Sequence, residues 1–173
     1  MANCRFLCGA LIAVLAGSAA AQEQASTIIQ GKTISIKYSA PSVKGRKIFG
    51  GVVPYNQVWL IGDGSGATLH TDSDLVFYDV TVPKGDYSLY VLVDPTKWQL
   101  IINRQTGAKA AVYNAKMDVG RVPMSMGKAP APVETCKLAF LKTAALAAKL
   151  ELSWENTIAS VPFHLDYASD REW

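Results

Sequence analysis

Lys149-Leu150-Glu151-Leu152-Ser153-Trp154-Glu155 interleaves polar and apolar side chains without a break. Successive side chains of an extended chain point to opposite faces, so this order puts Leu150, Leu152 and Trp154 on one side and Lys149, Glu151, Ser153 and Glu155 on the other. A single helical stripe is incompatible with that alternation. The stretch decides the fold because its surroundings argue the other way. Between Cys136 and Leu152, Lys137, Leu138, Leu141, Lys142 and the alanines at 144, 145, 147 and 148 are all good helix formers. Pattern outranks propensity here. Leu138 and Phe140 alternate with Lys137 and Ala139 in the same way, so the expectation is a hairpin turning near Lys142 to Ala145.

The same period runs through the rest of the chain. Ile34, Ile36 and Tyr38 alternate with Thr33, Ser35 and Lys37 in a first strand. Val58 to Ile61, Ala67 to Thr71, Leu75 to Val82, Tyr87 to Val93 and Trp98 to Asn103 follow as β-branched or aromatic runs between turn residues. Pro83-Lys84-Gly85-Asp86 carries the chemistry of a tight hairpin, and Gly62-Asp63-Gly64-Ser65-Gly66 that of a flexible hairpin turn. Gln105 to Ala110 reads as a loop, Val112-Tyr113 as a brief pairing. Gly120 and Pro123 push the strand from Asp118 to Met124 toward a sheet edge. Ala159, Val161 and Phe163 form a last run. Together these predict an all-β fold, a β-sandwich or jelly-roll-like barrel of roughly ten short strands with minor helices.

The N-terminus points to export. Arg5 precedes an apolar run from Phe6 to Ala16, too short for a membrane helix, and Ala19-Ala20-Ala21 supplies small residues for cleavage. The expected organisation is a signal peptide over 1–21, one β-rich domain over 22–165 and a mobile tail over 166–173. A periplasmic or extracellular bacterial location follows from it. Cys4 and Cys8 leave with the leader, so Cys136 has no partner for an internal disulfide and packing must hold the core. Loss of Arg5 lowers the formal charge of +3 by one, too near neutral to call for nucleic acid as a partner. The sequence calls for no cofactor and no transmembrane segment in the mature chain.

Several stretches are more specific. Tyr38-Ser39-Ala40-Pro41-Ser42-Val43-Lys44-Gly45-Arg46-Lys47-Ile48-Phe49-Gly50-Gly51-Val52-Val53-Pro54-Tyr55, followed by Val58-Trp59, resembles the opening of the DUF2911 family of exported bacterial proteins. Lys84 to Leu89, Trp98 to Asn103, Asp118 to Val122 and Leu150 to Glu155 fall in that family's order. The resemblance implies an envelope or secreted β-rich protein with no assigned biochemical activity. Two departures stand out: Ala40, where arginine is usual in the family, and Trp59 to Thr68, where a Trp-Arg-Thr-Gly-Ala-Asn-Glu-Ala-Thr-like stretch is usual. Both remove polar groups.

Candidate chemistry gathers in the Tyr38 to Trp59 region. Ser42, Lys44 and Arg46 offer a hydroxyl and two cations in one loop, suited to a carboxylate, phosphate or sulfated sugar. With Tyr55, Trp59 and Asp63 they form the candidate ligand site, its partner an anionic small molecule or glycan. The leading expectation is a binding or structural module. A hydrolase acting on an envelope or extracellular substrate such as a glycan is the rival, its acid-base residues drawn from Asp63, His70, Glu134 or Asp118. Ser42-x-Lys44 lacks the helical Ser-x-x-Lys spacing of penicillin-binding enzymes, and the glycines at 62, 64 and 66 precede a strand rather than the helix a phosphate cradle needs. His70 and His164 stand far apart without cysteine partners, so no metal site is expected. Trp59, Trp98 and Trp154 sit in alternating runs and read as core.

Overall fold

A computed structural model describes residues 21–62, 64 and 66–166. Its elements are β1 (Ala21–Ile29), β2 (Lys32–Ala40), β3 (Gln57–Leu60), β4 (Ala67–Thr71), β5 (Leu75–Phe77), β6 (Val80–Val82), β7 (Gly85–Val93), β8 (Trp98–Asn103), β9 (Asp118–Ala144) and β10 (Ala147–Leu165). Among the described residues helix is confined to two short 3-10 turns, Gly107–Ala111 and Ala115–Met117. The all-β, sandwich-like architecture expected from the alternation is present. Among the described residues no helix is long and apolar enough to cross a membrane.

These ten strands pair antiparallel, in the order β1-β2-β4-β7-β8-β9-β10-β5-β6 with β3 also on β7. The long β9 joins the two halves. Its first residues, Asp118 to Met124, pair with β8, and the stretch from Ser125 to Ala144 pairs with β10. Among the described residues Asp118 to Met124 pairs with β8 alone, in line with the edge position that Gly120 and Pro123 favour.

The core lies between the halves and includes the inward faces expected of β2 and β10. Ile34, Ile36, Leu69, Leu89, Val91, Leu100 and Ile102 come from one half, and Leu75, Phe77, Leu150, Leu152, Trp154, Val161 and Phe163 from the other, all buried. A smaller cluster of Tyr90, Ile101 and Ala110 lies on the opposite face of β7 and β8, and the Tyr90 hydroxyl donates to the Ala110 carbonyl at 2.6 Å.

Lys149 to Glu155 is extended, as its alternation requires, but the strand runs on to Leu165. The buried positions are even-numbered up to Trp154 and odd-numbered from Ala159, because the register with β9 shifts on both sides of Glu155, whose φ is +53°. A bulge of this kind turns the next residues onto the other parity, which made one strand read as two. The hairpin turn falls at residues 145 and 146, at the far end of the expected Lys142 to Ala145.

Three local expectations are corrected, and one strand is new. Leu75 to Val82 is a hairpin, β5 on β6, reversed at Tyr78 with φ +53°. Pro83 to Asp86 is a crossing between halves, since β6 pairs with β5 while β7 pairs with β4, and Lys84 N–H is held by Asp74 Oδ1 at 2.8 Å. Val112-Tyr113 belongs to no strand among the described residues and lies between the two 3-10 turns. β1 was not foreseen at all, because Ala21 to Ile29 is mostly polar and exposed; it joins by an unbroken ladder from Ala21↔Ala40 to Ile29↔Lys32.

Candidate functional site

Gly62 to Gly66 is not a hairpin turn. Gln57 to Leu60 lies opposite Val93 to Tyr90, and Ala67 to Thr71 continues opposite Leu89 to Gly85, so β3 and β4 run in tandem along one edge of β7. The glycine segment is therefore an excursion from one continuous strand edge. Glycine is required there: a side chain at Gly66 (φ +70°) would meet the Leu60 side chain at 2.3 Å, and one at Gly62 (φ +95°) the Ser39 carbonyl at 2.7 Å.

Beside this excursion lies the loop after β2. Its first residues are drawn onto β9, with Val43 N–H donating to Glu134 O and Cys136 N–H to Pro41 O. Farther along, Ile48, Phe49 and Val53 are buried. The Phe49 ring meets Trp98 edge-on at 4.4 Å, Trp154 at 6.0 Å and Trp59 at 6.3 Å between centroids. Aromatic packing of this kind fixes what composition alone would call a solvated connection.

Loop and excursion enclose a cleft of about 380 Å³, whose walls include Arg46, Trp59, Gly62, Gly64 and Trp154. Trp59 is half-buried and stacks at 5.8 Å and 23° on Trp154, which is fully buried and donates its indole N–H to Glu134 O at 3.3 Å. Arg46 is braced by its own loop, Nε donating to Val43 O at 3.1 Å and Nη2 to Ser42 O at 2.8 Å. Its Nη1 has no partner among the described residues.

Of the six candidate site residues, Arg46 and Trp59 come together in this cleft. Ser42 is turned to Thr135, their hydroxyls 3.3 Å apart, and Lys44 donates its backbone N–H to Glu134 Oε1 at 2.8 Å. The Tyr55 ring packs over Gly50, where a Cβ would lie 2.4 Å from it. Asp63 lies outside the described residues. The alternation that marked Trp154 as core could not show that it forms the wall behind Trp59.

Of the residues expected to serve a hydrolase, the described ones, His70, Glu134 and Asp118, are each held by separate partners. Glu134 holds Lys44, and Asp118 accepts from Asn103 Nδ2 at 2.8 Å, Tyr113 Oη at 2.6 Å and Arg121 Nε at 3.0 Å. His70 projects from β4 between Asp86 (Nδ1 to Oδ1, 2.7 Å) and Asp72 (Nε2 to Oδ1, 3.1 Å) rather than toward His164 or Asp166. Its pKa is raised, first by the hydrogen bond to Asp86 and then by that to Asp72. Among the described residues no three His, Cys, Asp or Glu side chains are grouped to hold a metal ion. The Cys136 thiol is buried and its pKa is pushed up to about 12 by desolvation, which leaves it protonated and a poor nucleophile.

The family model described as protein of unknown function (DUF2911) matches residues 20–163. The chain belongs to the DUF2911 family. That match spans β1 through most of β10 and includes the loop, the excursion and both tryptophans of the cleft. No match to the chain came from the curated proteins or from the solved structures. This DUF2911 protein thus builds its cleft from the loop after β2 and from the excursion between β3 and β4, both within the matched residues.

Proposed function

We propose that this DUF2911 protein is an exported binding module of the bacterial cell envelope, with the cleft between Arg46 and Trp59 as its ligand site. Export rests on the leader residues Arg5, Phe6 to Ala16 and Ala19 to Ala21. The observation that carries the binding reading is one guanidinium, anchored through two of its nitrogens, beside a half-buried indole in the same cleft.

Such a pair suits an anionic glycan or a small anion with an apolar face. The ring face of a sugar or a comparable group packs on Trp59, and its carboxylate or sulfate accepts from Arg46 Nη1. Because the loop is fixed by Phe49, little ordering accompanies binding. Asp118, Glu134 and His70, each held by separate partners, take no part in this reading.

The test is a titration of oligogalacturonate followed by tryptophan fluorescence. Arg46→Lys, which keeps the charge but not the planar fork, and Arg46→Ala are expected to weaken binding, the alanine at least about tenfold, in line with the roughly 1.5–3 kcal/mol of a hydrogen bond to a charged group. Equal affinity for wild type and both variants removes the site.

A further inference from the structure

We propose a second ligand site on the outer face of the first half of the sheet, a concavity of about 500 Å³ shaped to take the hydroxyl edge of a neutral saccharide. It is lined by Gln24, Ser35, Lys37, Thr68, His70 and Asp86. Strand register brings them together. Ser35 lies opposite His70, and His70 opposite Asp86, in one cross-strand row; Gln24, Lys37 and Thr68 lie opposite one another in the next. Four strands, β1, β2, β4 and β7, thus supply one convergent set from their outward positions.

These side chains differ from the polar cluster around Asp118 in what they already bind. Around Asp118, the groups of Asn103, Tyr113 and Arg121 satisfy one another. In the concavity, the side chains of Gln24, Ser35, Lys37 and Thr68 have no hydrogen-bond or ion-pair partner among the described residues. Asp86 uses Oδ1 for His70 and keeps Oδ2 without a partner. His70 is held on both ring nitrogens, so it positions Asp86 and has no ring nitrogen left for a ligand.

The chemistry of the set selects the ligand. Lys37 opposes a metal cation, and the carboxylates of Asp86 and Asp72 oppose a phosphate or carboxylate. No apolar residue lines the concavity, so an aromatic or lipid group finds no apolar side chain to pack on there. What remains is a neutral group that both donates and accepts: adjacent sugar hydroxyls, donating to Asp86 Oδ2 and accepting from Lys37 Nζ and the Gln24 amide, with the Thr68 and Ser35 hydroxyls able to do either. The site stands apart from the Arg46 cleft and does not depend on it.

The test is an NMR titration of the isotope-labelled protein with maltohexaose, cellohexaose and chitohexaose at millimolar concentrations. With at least one of the three, the amide signals of Lys37, Thr68 and His70 are expected to move saturably. Lys37→Met, which has no side-chain partner to lose, and Asp86→Asn are each expected to weaken that binding at least fivefold. Absence of saturable shifts at these amides with all three sugars overturns the proposal, as does retained affinity in both variants. Shifts at these amides with oligogalacturonate alone overturn the neutral class. Loss of oligogalacturonate binding in the Arg46 variants is a separate reading on the other cleft.

Discussion

Two concave surfaces of this protein, the Arg46 cleft and the outer concavity, are built on opposite plans. At the Arg46 cleft, loops supply the walls and the hydrophobic core supplies the floor, with Trp154 buried beneath Trp59. At the outer concavity, regular strands supply everything, and the residues carry no share of the core except Ser35, which is largely covered. The contrast teaches that a cleft sharing residues with the core ties binding to stability, whereas a site on the outward positions of a sheet leaves them separable.

The largest effect expected from that contrast is on Trp154. Trp154→Ala opens a cavity against Phe49 and Trp59 and should cost about 3–5 kcal/mol in denaturant unfolding. Lys37→Ala, across the molecule, should stay within about 0.5 kcal/mol of wild type in the same measurement. Comparable losses for the two would break the distinction.

Next in size is the glycine excursion. Gly66→Ala forces a Cβ into the Leu60 side chain at a φ of +70° and is expected to cost about 1–3 kcal/mol, read from the same unfolding curves. Gly64→Ala, at φ +63° but with open space around it, should cost less than Gly66→Ala. An equal loss at both would show that backbone strain, and not the close approach of Leu60, sets the requirement.

The smallest effect concerns pH at the rim of the outer concavity. His70 has its pKa raised above the usual value near 6.5, so its charged contacts stabilise the fold fully below about pH 6.5 and lose that contribution as pH rises through the folded value. Asp72 runs the other way. Its pKa is lowered, first by the backbone N–H of Thr33 and then by His70, so its contribution is present above about pH 3.9 and lost as pH falls through the folded value. The corner after β4 is therefore held best in mildly acidic solution. Both groups face water, along with Asp86 and Lys37, so the amplitude is small. His70→Gln should flatten the alkaline side of a plot of unfolding midpoint against pH; an unchanged slope would mean that His70 carries none of it.

Much of the fold was legible because burial on one face writes itself into alternate residues, as in Ile34-Ser35-Ile36 and in Leu150 to Trp154. It failed where a turn was hidden inside a run or a turn signal lay outside a hairpin. Leu75 to Val82 read as one strand because its apolar residues continue through the reversal at Tyr78 and Asp79. Pro83 to Asp86 has hairpin composition yet carries the chain from one half to the other, and that error concealed the pairing of His70 with Asp86, which depends on β4 lying beside β7. Arg46 and Trp59 could be named from composition and spacing, since a cation and an indole near one loop are visible in one dimension. Trp154 could not be joined to them, because it lies almost a hundred residues farther along the chain and meets Trp59 only through the packing of the two halves.

The most direct measurement follows the indole N–H signals of the labelled protein during addition of oligogalacturonate. The Trp59 signal should move saturably, while those of Trp98, bonded to Asp94 O at 3.0 Å, and Trp154, bonded to Glu134 O, should move far less. A Trp59 signal that stays in place at saturating ligand would contradict the assignment of the cleft.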